Sequence, residues 1–120
     1  MNASQKEFLS DIAEKNTIEY AIENGKIRLL KQLIEEGAEI DDYAVYYAAG
    51  SGNLEMVKYL IEKGAKIDDA AVKHAAEKGN LEMVKYLEIV KFLEDEKELS
   101  RSQTMIIYNK IKTGELKFPE

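Results

Sequence analysis

The sequence predicts an all-α solenoid of three short helix-turn-helix repeats, with a capping helix at each end. Three observations carry this. A 27-residue pattern recurs along the chain, and apolar residues within each copy fall at helical spacing. The one proline, Pro119, leaves almost the whole length free to be helical. With 120 residues there is room for one domain. We divide it into a capping helix over 1–15, repeats over 16–42, 43–69 and 70–97, and a capping helix and tail over 98–120.

The second and third copies define the repeat. Ala44–Leu60 and Ala71–Leu87 are identical at thirteen of seventeen positions. The same offset relates Gly37-Ala-Glu-Ile-Asp-Asp42 to Gly64-Ala-Lys-Ile-Asp-Asp69. A weaker first copy begins near Asn16, where Ala21, Gly25, Lys31, Leu33 and Ile34 match Ala48, Gly52, Lys58, Leu60 and Ile61.

Taken in order, the elements have local causes. Ser4-x-x-Glu7 is a capping box, which opens a helix carrying Phe8, Leu9, Ile12 and Ala13 on one side. In the second copy a first helix is expected over about 43–49, opened by Asp42, with Val45, Ala48 and Ala49 facing inward. Gly52 breaks the chain, and Asn53 caps a second helix over about 54–63. That helix places Leu54, Val57, Leu60 and Ile61 on one face, and Gly64 stands where a left-handed C-terminal residue is needed. A single copy cannot bury its apolar face alone, so the copies must stack.

The third copy loses its Gly-Ala turn, so residues 81–97 read as one helix about 25 Å long. Ser100-x-x-Gln103 is another capping box and starts a last helix with Met105, Ile106, Ile107 and Ile111, ending at Gly114. Ile89, Val90, Phe92 and Leu93 give the long helix a wide apolar girdle. Two arrangements would cover it: the last helix folding back as a cap, or a homodimer formed through residues 88–111.

Gly-Asn-Leu-Glu-Met-Val-Lys-Tyr-Leu-Ile-Glu-Lys-Gly-Ala, over 52–65, resembles the second-helix signature of ankyrin repeats, and Ala-Ala-x-x-Gly before it matches the first helix. The resemblance spans roughly residues 16–93. Against the usual period of about 33, each copy lacks about six residues. They are missing between Ile40 and Ala44 and between Ile67 and Ala71, where the family builds its projecting hairpin, so the resemblance implies an ankyrin-like solenoid with β-hairpins reduced or absent. The family's Thr-Pro-Leu-His start is replaced by Tyr43-Ala44-Val45-Tyr46 and Ala70-Ala71-Val72-Lys73. Shortened copies of this kind are similar to repeats of large-virus and bacterial ankyrin proteins. The resemblance implies an interaction module whose partner is another protein, gripped by the concave first-helix face, with no catalysis.

Composition narrows the alternatives. The absence of cysteine excludes disulfides, thiolate zinc sites and cysteine nucleophiles. A net charge of −6 argues against direct nucleic-acid binding, which rests on clustered Lys and Arg. No apolar run is long enough to span a bilayer, so no membrane role is expected. The first residues lack the basic start and apolar core of a signal peptide, so the expected location is cytoplasmic. There is no Gly-rich phosphate loop, no His-Glu-x-x-His, and no nucleophile set beyond what the lone His74 could join. No enzyme activity, metal or cofactor is expected.

The candidate partner-binding residues lie on the first helices. Tyr20, Tyr47 and His74 occupy one equivalent position in successive copies, with Tyr43 and Tyr46 beside them. Glu23, Ser51, Lys73 and Lys78 vary at otherwise repeated sites, as an adapted surface would. Tyrosine supplies large contact area at low entropic cost and is enriched in binding hot spots. The other reading is that these tyrosines pack between repeats in place of the missing hairpin. Tyr59 and Tyr86 recur unchanged within the second helices and read as scaffold. Asp41-Asp42 and Asp68-Asp69 recur at one edge, with acidic runs at Glu35, Glu36 and Glu39 and at Glu94-Asp95-Glu96 and Glu98. Helix capping accounts for the aspartates. An acidic ladder is the alternative, as in a virus- or phage-encoded inhibitor that blocks a host nuclease or defence complex by charge mimicry.

Overall fold

Each copy turns back on itself at a glycine that takes a left-handed backbone, which residues with a Cβ avoid. Gly52 has φ 79° and separates α3 from α4 in the second copy. The structure, a computed structural model, describes Gln5 and residues 16–117. The capping helix expected over 1–15 therefore lies, Gln5 apart, outside the described residues. The described helices are α1 (Ile18–Glu23), α2 (Ile27–Glu35), α3 (Ala44–Ser51), α4 (Leu54–Glu62), α5 (Asp69–Glu77), α6 (Leu81–Asp95) and α7 (Arg101–Thr113). No strand occurs among the described residues.

The caps follow the repeat. Asn53 Oδ1 accepts from the Met56 N–H at 3.1 Å, and Asn80 does the same for Met83 at 3.1 Å. Lys26 stands at that position in the first copy, and α2 has no side-chain cap. At the end of α4, Gly64 and Ala65 donate back to Ile61 and Leu60, a paired closure that satisfies carbonyls left over by the helix.

The aspartates differ from expectation. Asp42 is not the residue that opens α3; Asp41 accepts from the Tyr43 N–H at 2.9 Å, and the equivalent Asp68 caps α5 through the Ala71 N–H at 2.9 Å. In both copies the earlier carboxylate is the one that meets free N–H groups. Asp69 instead meets Lys91 at 3.4 Å.

Neighbouring first helices pack directly against one another, α1 on α3 and α3 on α5. The fully buried Ala21, Ala48 and Ala75 allow this close approach. Each second helix packs on the first helix of its own copy, and second helices meet one another through long side chains such as Lys58 and Tyr86. Small residues thus fill the contacts between first helices, and longer ones those between second helices.

The buried stripe of α4 is Met56, Val57, Leu60 and Ile61. Leu54, expected on that face, is only partly buried, and its equivalent Leu81 is 77% exposed. Both stand at the first position of their helix, and the buried stripe starts two residues later, at Met56 and Met83.

α6 runs on because Lys91 and Phe92 replace the Gly-Ala that ends α4. Ser100 and Gln103 form both halves of the capping box that starts α7. α7 folds back on α6, with Ile89, Val90 and Leu93 all buried within the single chain. Its packed side carries Thr104, Met105 and Tyr108, whereas Ile106, expected on the apolar face, is 56% exposed. Arg101 fastens this arrangement. Its Nε donates to Glu94 at 2.9 Å, and its guanidinium also donates to the carbonyls of Ala65, at 3.0 Å, and Ile61.

Candidate functional site

α3 turns Ala44, Val45, Ala48 and Ala49 into the stack, which leaves Tyr43, Tyr46 and Tyr47 on its other side. Tyr43 is 63% exposed and Tyr47 49% exposed, large values for aromatic rings in a folded chain. Tyr46 is half-buried between them and the next copy. Its ring meets Tyr47 edge to face at 5.3 Å and stacks on His74 at 4.2 Å. His74 Nδ1 lies 3.1 Å from the carbonyl oxygen of Tyr46, so this nitrogen carries the proton and donates. Gly50 makes room for the imidazole, since a Cβ there would stand 2.6 Å from Nδ1.

The nine expected residues take different places in the structure. Tyr46 and His74 form packing between two copies, which agrees with the reading that aromatic rings stand in for the missing hairpin. Tyr43, Tyr47 and Lys73 stay exposed around that pair. Lys73 borders a shallow recess of about 240 Å³ together with Tyr46, Ala70, His74 and Glu77. Ser51 is exposed at the end of α3, where its hydroxyl donates to the Ala48 carbonyl at 2.8 Å. Tyr20 sits on α1 with the Lys26 ammonium 5.5 Å from its ring centre. Glu23 and Lys78 are exposed at the ends of α1 and α5.

Glu77 and Ala70 complete the recess and were not among the expected residues. Glu77 is equivalent to Gly50 and Glu23, so its variation between copies was the available signal. Tyr46 joins its neighbours on both sides, Tyr47 within α3 and His74 on α5. The Gly50 notch draws His74 toward α3.

With this geometry in view, comparison with known proteins is direct. A family model of ankyrin repeats (3 copies) matches residues 18–100, which is more than half of the chain. The chain belongs to the ankyrin repeat family. Repeats of this family are protein–protein interaction modules and are generally not catalytic. No curated protein and no solved structure matches the chain significantly. No helix among the described residues is long and apolar enough to cross a membrane.

Proposed function

We propose that the chain is a non-catalytic interaction module that binds a partner protein through its first-helix face. Tyr43, Tyr47 and Lys73 form the centre, and Tyr20, Glu23, Ser51 and Lys78 lie around it. The observation that supports this is the way Tyr47 is held. Its ring is half-exposed, yet Tyr46 braces it and His74 braces Tyr46 in turn. A large ring presented in a fixed orientation loses little entropy on binding. Tyr46 and His74 act as the support of the surface rather than its contact layer.

The test starts from capture of the partner with the tagged chain, followed by affinity measurement on the purified pair. Tyr47→Ala combined with Lys73→Ala should weaken binding by about tenfold or more, as a hot-spot truncation does, with Tm nearly unchanged. Equal affinity of the double variant and the parent chain rejects this face. Added salt separates the proposal from charge mimicry, which would lose binding as ionic strength rises. Asp68 already caps α5 and Asp41 already accepts from the Tyr43 N–H just ahead of α3, which favours the aromatic face over the acidic edge.

A further inference from the structure

The outer side of the stack carries a second feature. Lys31, Lys58 and Lys85 occupy one equivalent position in the three second helices. Lys31 lies 5.4 Å from the Tyr59 ring centre of the next copy, and Lys58 lies 5.4 Å from that of Tyr86. At the C-terminal end α7 adds a wall to this pattern. Tyr108 meets Tyr86 edge to face at 4.8 Å, and the Lys58 ammonium is also 5.6 Å from the Tyr108 ring centre. The result is a recess of about 270 Å³ between α4, α6 and α7.

We propose that this recess docks a short acidic peptide segment bearing one large apolar side chain. Its rim holds three ammonium groups, Lys58, Lys85 and Lys112, against the Glu82 carboxylate, with Glu62 also close enough to act on the Tyr86 hydroxyl. None of the three lysines is in an ion pair with a described residue, whereas Lys91 and Arg101 nearby are both paired. In a chain of net charge −6, that is a local concentration of positive charge. The apolar part of the wall comes chiefly from the partly exposed Tyr108 and Ile111, with Tyr86 and Ile89 buried behind them.

The size and lining select the class of occupant. A recess of about 270 Å³ falls just below the roughly 300 Å³ at which pockets for whole small ligands begin. It suits one leucine- or phenylalanine-sized side chain, with flanking carboxylates reaching the rim. A polynucleotide would leave the apolar walls unused, and its long run of phosphates would be repelled by the acidic remainder of the chain. This face lies on the second helices and is independent of the first-helix surface proposed above.

The experiment titrates the full isotope-labelled chain with a seven-residue peptide of Asp and Glu around a central Phe, followed by NMR and by fluorescence anisotropy. Shifts should concentrate at Lys85, Tyr108 and Lys112 and spare Tyr47. Lys85→Gln with Lys112→Gln, both at exposed positions, should weaken binding about tenfold. A peptide with Ala in place of Phe should bind the parent chain about tenfold more weakly. Tyr47→Ala should bind the peptide unchanged. The proposal is overturned if millimolar peptide shifts none of those residues, or if the lysine variant or the Ala peptide binds as well as its parent. Tighter binding of a single-stranded oligonucleotide at the same residues also overturns it.

Discussion

Gly50 lies inside α3, where replacing glycine by alanine ordinarily stabilises a helix by about 1 kcal/mol. Here the new methyl group would occupy the space of the His74 ring. The imidazole must swing out, and two interactions go with it: the 4.2 Å stack on Tyr46 and the 3.1 Å hydrogen bond to the Tyr46 carbonyl. An aromatic pair contributes about 0.5–1.5 kcal/mol and a hydrogen bond about the same, so their joint loss is roughly 1–3 kcal/mol. Gly50→Ala alone should therefore range from nearly neutral to about 2 kcal/mol destabilising. In a His74→Ala background the obstruction is gone, and the same substitution should stabilise by up to about 1 kcal/mol. Thermal unfolding of the four proteins reads the coupling, at about 4 °C of Tm per kcal/mol for a domain of this size. If Gly50→Ala changes Tm equally in both backgrounds, within the roughly 0.5 kcal/mol expected of independent sites, the packing account of His74 is refuted.

Two further predictions concern α7 and its contact with α6. Thr104 is fully buried, and its hydroxyl has no hydrogen-bond partner among the described residues. Thr104→Val keeps the shape and removes that unpaired group, so it should raise stability by about 1 kcal/mol in denaturant unfolding, and a loss of stability would contradict the burial. Tyr86 has its pKa raised above the ordinary tyrosine value of about 10, first by burial and then by Tyr108 and Glu62. Its contribution is intact below about pH 10 and is lost as pH rises above that value, because the unfolded tyrosine ionises while the folded one does not. Tyr86→Phe should therefore show a smaller fall in Tm between about pH 9 and 11 than the parent chain, and parallel curves would count against this.

Much of the helical pattern is legible from residues close together in the chain. Asn53 caps its helix through a residue three positions on, Gly64 closes it over four residues, and Ser100 with Gln103 completes a box within one turn. These contacts are local, so spacing alone identifies them. The three copies and the all-helical class follow from the same pattern, and the match to ankyrin repeats over 18–100 rests on it too.

The side chains were less legible, because their partners lie about one repeat away. Tyr46 and His74 are 28 residues apart, and only the stacked helices bring their rings together. Arg101 reaches back to carbonyls of Ile61 and Ala65, a contact no spacing rule suggests. Tyr86 reads as scaffold in the repeat, yet α7 folding back makes it a wall of the outer recess. Where helices start, stop and recur can be read along the chain, since those choices depend on backbone groups within a turn of each residue. Which tyrosines support the surface and which project from it emerges from packing alone, because it depends on how closely small residues such as Ala48 and Gly50 let one repeat approach the next.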